Sequence, residues 1–285
     1  MPTTYTHWRF GCDCIEVLPD ELKKAINNNR ELFDIGVHGP DIFFYDLTHP
    51  NIMRYGSKLH RESGRSFFEK CIEVYQNNSE DKEAMLAYIF GFLSHYALDT
   101  QCHGYVNTKA YRSPGLTHNK VEAEYDGHMM RLDSRNINQT DRAQSLRPDK
   151  FTAKIIARFF PFSEKVILRT TKGQHTVIHL LNAKGNFKRK FFDRVMRGVR
   201  VPDYADLLVY PEEHSDCRDS NLRLDKLRAN ALPVYKQLAD NLYKALKGEE
   251  KLQDYFEMNF DPLESDDIPV LSYEEELNYK PDPIR

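Results

Sequence analysis

The stretch Ala84 to His103, AMLAYIFGFLSHYALDTQCH, constrains the fold of this chain more than any other. Met85, Leu86, Ile89, Phe90, Leu93, Tyr96 and Ala97 recur at intervals of three and four, the period of a mostly buried helix. Into that apolar run the sequence sets His95, Asp99 and His103 at intervals of four. On a helix, four residues separate side chains by about 6 Å along the axis and eight by about 12 Å. His95 and Asp99 can therefore share one metal ion at ordinary bond lengths, whereas His103 cannot reach the same ion. Two neighbouring metals with Asp99 near the middle fit this line better than one.

The remaining histidines concentrate around this helix. Eight of the eleven (His7, His38, His49, His60, His95, His103, His118 and His128) lie in the first 128 residues, which places the chemistry there. Thr117 reads as the N-cap of a helix from His118 to about Arg131, with His118 and Glu122 on one face. In chain order the candidate ligands are His7, Asp41, His60, His95-x3-Asp99, His103 and His118-x3-Glu122. Zinc favours imidazole and carboxylate, and helices present such pairs four residues apart, so the set can serve two or three ions. A single His-x3-Asp arises often by chance; an ordered set of eight is far more specific. His38 and His49 are alternatives beside the proposed ligands. Glu124 and Asp126 compete with Glu122 but lack its spacing from His118. His128 reads as a supporting or surface histidine.

The ordered set resembles the zinc-dependent phospholipase C family, whose all-helical fold and metal cluster are shared with single-strand nucleases of the P1/S1 type. That family's pattern runs His, Asp, His, His-x3-Asp, His, His-x3-Glu, and each member has a counterpart here over residues 1 to about 130. The resemblance implies that Asp41, His60, His95 and Asp99 hold one zinc, that Asp99 bridges to a second held by His7, and that His103, His118 and Glu122 hold a third. It also implies Asp41 as a general base. Two departures stand out. Secreted relatives begin at a Trp whose amine and carbonyl complete the His7 site, whereas Trp8 is internal here and the chain begins Met1-Pro2. The toxin-like relatives carry a C-terminal β-sandwich, which the acidic end of this chain does not resemble.

A chain of 285 residues can bury a large core, and 29 % charged residues is ordinary for a globular protein. The expected fold is all-α, a multi-helix bundle with the metal cluster between helices. Residues 1–215 read as the helical domain, 216–260 as a C-terminal amphipathic helix packed on it, and 261–285 as an acidic irregular or wrapping tail. Within this scheme a short helix is expected at Glu21 to Asn27, one helix over Ser57 to Tyr75, and a loop over Gly104 to Gly115. Further helical pieces are expected at Lys150 to Phe159 and Asn186 to Arg197, and a strong amphipathic helix over Asn221 to Leu246. Val166–Leu168 and Thr176–Leu180 are β-branched enough to be ambiguous but are read as helix.

Charge is uneven. Arg147 to Arg200 holds 14 Lys+Arg against 3 Asp+Glu, and Glu249 to Arg285 holds 3 against 12, so the two segments could attract one another or the basic one could face an anionic substrate. The net charge of -3 argues against a general nucleic-acid binder. No stretch reads as a signal peptide or membrane span, and the five scattered cysteines read as reduced thiols, so a cytoplasmic location is expected. The leading expectation is a zinc phosphodiesterase acting on phospholipid-like head groups. The alternatives are a single-strand nuclease with the same metals and an inactive helical protein with structural zinc.

Overall fold

In the computed structural model, residues 4–182, 185–198 and 205–284 are described, and their regular elements are all helical. The central helix α6, Lys82–Arg112, is introduced first because the others are arranged on it. From Ala84 to Val106 every one of its residues is buried, so no face of this stretch is left polar towards solvent. Helix α3, Arg30–Gly36, crosses it at a glycine pair. A Cβ on Gly91 would stand 2.4 Å from the Phe33 carbonyl oxygen, and one on Gly36 would stand 2.6 Å from that of Tyr88. Only glycines permit that backbone approach. The long helix Arg218–Leu246 covers α6 from another side through Leu224, Leu227, Tyr235, Leu238 and Leu242. One apolar cluster runs from Tyr5 to Phe260 and takes in both halves of the chain.

The all-α expectation holds, with differences at particular boundaries. The N-terminal helix α1, Thr4–Glu16, was not foreseen from its weak apolar stripe; Tyr5, Phe10, Cys14 and Ile15 are buried by tertiary contacts. It is followed by α2, Asp20–Asn28, and by α3. The single helix expected over Ser57 to Tyr75 is two, α4 at Pro50–Arg61 and α5 at Gly64–Asn77. Ser63 breaks them apart, because its hydroxyl caps α5 by accepting from the Arg65 N–H at 3.2 Å. The Gly64 N–H there donates to the Met258 carbonyl at 2.9 Å, a partner no local pattern reveals.

The loop expected over Gly104 to Gly115 is mostly helix, since α6 continues to Arg112 before Gly115 turns the chain at φ 88°. Burial of Tyr105, Val106 and Thr108 outweighs the helix cost of Gly104. Helix α7, His118–Leu132, follows with Thr117 capping it by accepting from the Lys120 N–H. The ambiguous β-branched pieces lie in one helix, Glu164–Leu181. Lys150–Ala157 and Asn186–Gly198 are also helical.

After Leu246 the chain returns across α6. Tyr255 Oη meets the Thr100 hydroxyl and the Gln101 amide, Phe256 is fully buried, and the Ile284 backbone pairs with both ends of the Gln101 amide. Apart from the short helix Tyr273–Glu276, residues 261–284 are irregular.

Candidate metal centre

Five segments deliver the candidate ligands to one place. His7 sits in the first turns of α1, whose start is pinned by Asp126 of α7. That carboxylate accepts from the Tyr5 and Thr6 N–H groups at 3.1 and 2.8 Å and from the Thr6 hydroxyl at 2.9 Å. Asp41 lies in the 3₁₀ segment Gly39–Tyr45. Gly39 enters it at φ 50°, and a Cβ there would fall 2.3 Å from the His95 ring. His60 is on the last turn of α4; His95, Asp99 and His103 are on α6; His118 and Glu122 open α7.

Their polar atoms interleave around Asp99. One Asp99 oxygen lies 3.2 Å from His7 Nε2 and 3.5 Å from His103 Nε2, and the other lies 2.8 Å from His95 Nε2. Asp41 lies 3.0 Å from His60 Nε2 and 3.8 Å from His95 Nδ1. Glu122 Oε1 lies 3.2 Å from His103 Nε2 and 3.3 Å from His118 Nε2. Three groups have donor atoms within 4.8 Å of one another: His7, His95 and Asp99; Asp41, His60 and His95; His103, His118 and Glu122. Seven of the eight side chains are buried, and His118 is 23 % exposed.

The donor set fits zinc on two grounds. Two atoms each bonded to one tetrahedral zinc stand roughly 3.3 Å apart, the spacing of several of these nitrogen–oxygen pairs. In addition, both ring nitrogens of His95, His60 Nε2, His118 Nε2 and one Asp99 oxygen are buried without a hydrogen bond. Each such group costs about 1–3 kcal/mol unless something satisfies it, and a shared cation does so for all of them.

The opposite ring nitrogens of three ligands are already committed. His60 Nδ1 donates to the Gly56 carbonyl at 2.8 Å, and His103 Nδ1 donates to the Phe260 carbonyl at 2.9 Å. His118 Nδ1 donates to Asn107 Oδ1 at 2.7 Å, whose amide is fixed by giving its N–H groups to Asp261 and to the Pro262 carbonyl. Each imidazole is thereby set in the tautomer that leaves its Nε2 lone pair facing inward. The His60 carbonyl in turn accepts from the Phe260 and Asp261 N–H groups. The returning chain thus touches two of the ligand residues. A cavity of about 20 Å³ beside the centre, lined by Thr6, His7, Asp99, Cys102, His103 and Glu122 among others, is large enough for a single water.

The other candidates separate clearly. His49 is half exposed and pairs with Asp46 at 2.9 Å. His128 pairs with Asp225 at 2.9 Å, Glu124 with Lys120 at 2.7 Å, and Asp126 holds α1. His38 is fully buried with both ring nitrogens unbonded, and burial, aided by His7, brings its pKa down to about 3. Asp126, Asn107, Gly56 and Phe260, which position the ligands, carry no spacing signal in the sequence. Met1 and Pro2 lie outside the described residues.

Electrostatics keep the carboxylates charged. Burial opposes ionisation of Asp99, but His103, His95 and His7 hold it well below the ordinary carboxylate range. Glu122 is likewise held down against its burial by His118 and His103. Burial works against a charged His103, yet Asp99 and Glu122 outweigh it and raise its pKa to about 9. Without metal His103 is therefore protonated at neutral pH. This stabilises the metal-free fold below the ordinary value of 6.5 and is lost as pH rises through about 9. Metal must displace that proton, so zinc affinity is expected to rise with pH up to about 9. Calorimetric zinc titrations in two buffers of different ionisation enthalpy should give different heats; equal heats would contradict the displacement.

A model of the family described as zinc dependent phospholipase C matches residues 6–165, which span all eight candidate ligands. No curated protein and no solved structure matches the chain.

Proposed function

The chain belongs to the zinc-dependent phospholipase C family, and from that membership we propose that it is a zinc-dependent phosphodiester hydrolase acting on phospholipid-like head groups. The observation that carries the reading is the convergence of eight side chains, among which His60, His95, Asp99 and His118 each hold a buried nitrogen or oxygen without a hydrogen bond. Asp41, His60, His95 and Asp99 would hold one zinc, His7 and Asp99 a second, and His103, His118 and Glu122 a third. Bound zinc supplies Lewis acidity, offsetting charge on the phosphate oxygens and bringing the pKa of a water towards 7.

Asp41 supplies the base. His95 and His60 hold its carboxyl below the usual range against the effect of burial, so it is ionised and can accept a proton from the attacking water at a carboxylate oxygen. His60 and His95 orient that carboxylate on either side. Leu98, Val106 and Leu224 beside Asp99 exclude bulk water from the inner end of the centre. The less buried His118 marks the side from which a phosphate ester would approach. No helix among the described residues is long and apolar enough to cross a membrane. The cysteines are unpaired, which supports a reducing, cytoplasmic setting.

Hydrolysis of a soluble short-chain phosphatidylcholine, set against single-stranded DNA, tests the assignment. Cleavage of the nucleic acid alone would overturn the substrate class while leaving the metal chemistry. Asp41→Asn is expected to lower kcat by about 10²–10⁴ with little change in melting temperature. A variant turning over near the wild-type rate would remove Asp41 from the base role.

A further inference from the structure

The basic segment is not neutralised by the acidic end of the chain. Among the described residues, the acidic groups beyond Glu249 pair with Arg65, His103, Arg112, Arg223, Lys226 and Lys244, none of them between 147 and 200. Lys154 and Arg158 pair instead with Asp81 and Arg169 with Asp46, but one helix of the segment carries five cations against one carboxylate.

That helix is Asn186–Gly198, NFKRKFFDRVMRG. It has apolar residues on two opposite faces. Phe192 and Met196 point inward against Leu181, Leu207 and Leu208. Arg189, also inward, is buried and donates to the Val209 carbonyl at 2.8 Å. These contacts account for the folding of the helix onto the body. Phe187, Phe191 and Val195 lie four residues apart on the outer face and are 85, 57 and 42 % exposed. At 100° per residue, Lys190 and Arg194 border that stripe on one side and Lys188 on the other. All three cations are exposed, and none makes an ion pair among the described residues. Beside Phe191 the exposed Leu180 extends the apolar patch along a groove that Leu180, Lys188, Phe191 and Phe192 share with polar residues, Asp141 and His179 among them.

Two large aromatics held in water gain nothing for the fold, and contiguous exposed apolar surface ordinarily marks a contact site. A phenylalanine stripe flanked by lysine and arginine matches an interfacial helix, whose apolar face enters the acyl boundary while its cations meet anionic head groups. We propose that the outer face of Asn186–Gly198 docks this protein on an anionic lipid surface. Charge complementarity selects that occupant over a second copy of the chain, which would bring like-charged helices together. It selects it over nucleic acid as well, because phosphate contacts alone would not call for an exposed phenylalanine pair at the centre of the stripe.

The docking face is mechanically joined to the metal-bearing helix. Arg197 pairs with Asp206 at 2.7 Å, and Asp206 accepts from the Thr117 hydroxyl at 2.8 Å. Thr117 caps α7, whose first residue is His118. The inference concerns a surface distinct from the metal centre and stands whether or not that centre hydrolyses a phosphodiester.

The test is co-sedimentation of the full chain with vesicles of phosphatidylcholine alone and of phosphatidylcholine mixed with phosphatidylserine. The wild-type protein is expected to bind the mixed vesicles, to bind the neutral ones far less, and to be released by salt. Each cation near an anionic surface is worth about fivefold in binding, so K188Q/K190Q/R194Q should lose roughly 100-fold. F187S/F191S should lose at least about tenfold while keeping the wild-type melting temperature, because both side chains are already in water. Equal binding to both vesicle types, or unchanged binding by either variant, would overturn the proposal. So would a wild-type dimer that F187S/F191S dissolves, or single-stranded DNA binding without vesicle binding.

Discussion

Asp99→Asn is expected to empty the centre of metal and to abolish phosphodiester hydrolysis in the same step. Asp99 is the one carboxylate that faces imidazoles of both outer groups, with His7 and His103 on one oxygen and His95 on the other. An amide keeps the shape but removes the negative charge that three imidazoles face, and it offers a single neutral oxygen in place of two anionic ones. Loss of a group that merely orients a ligand costs about 10–100-fold in metal affinity, so loss of a shared ligand should exceed 100-fold. Elemental mass spectrometry of the purified variant is the check, with His118→Ala as its companion. The companion should lose the ion held with His103 and Glu122 and keep those at the other end of α6. Stoichiometric zinc retained in Asp99→Asn would sink the bridging role. Little metal in the wild type, unchanged in both variants, would remove the enzyme reading altogether.

The second large effect concerns stability, and it lies in the returning chain. Glu276 is fully buried, and Arg223 is nearly so. Arg223 Nε donates to Glu276 Oε2 at 3.1 Å, and Nη2 lies 2.6 Å from the other oxygen as an ion-pair contact, with Lys226 Nζ 3.6 Å away. The Arg223 guanidinium also lies over the Tyr105 and Tyr279 rings, 4.8 and 4.1 Å from their centroids. Glu276→Ala leaves that guanidinium buried without its carboxylate, a change that costs about 3–5 kcal/mol. For a chain of this size the expected fall in Tm is roughly 10 °C. The double replacement Arg223→Met with Glu276→Leu should recover most of it, since an apolar pair of similar volume is commonly neutral or better. A fall below about 2 °C in the single variant would mean that the Arg223 guanidinium regains water once its carboxylate is gone. Protease resistance of the last residues should follow the same order.

How much of this was legible beforehand differs between ligands and their supports. The all-α class and the family were readable because α6 and α7 write their ligands into the sequence at intervals of four. The structure brings all eight named side chains together. The groups that aim them are different. Asp126 fixes the turn bearing His7 from 120 residues away, and the Phe260 carbonyl fixes His103 across 157. A carbonyl has no sequence signature, and an aspartate four residues beyond Glu122 looks like a rival ligand until its partners are known. The misplaced boundaries have a similar cause. The break at Ser63 and the passage of α6 through Gly104 depend on residues 258–268 of the returning chain, which pack against Gly64 and Gly104.

The return of the chain over its own first half sets an order on synthesis. Every candidate ligand has been translated by Glu122, but the carbonyl that fixes the His103 tautomer belongs to Phe260. The stretch bearing it is tied down again by the pairing of Ile284 with Gln101. At ordinary elongation speeds, roughly 10–30 s separate the appearance of Glu122 from that of Phe260. A nascent chain still held at the ribosome therefore displays the imidazoles and carboxylates without the closure that orients them. Completion of the centre waits for the segment that bears Phe260, and a message truncated between codons 122 and 260 yields a protein with every ligand and no finished centre.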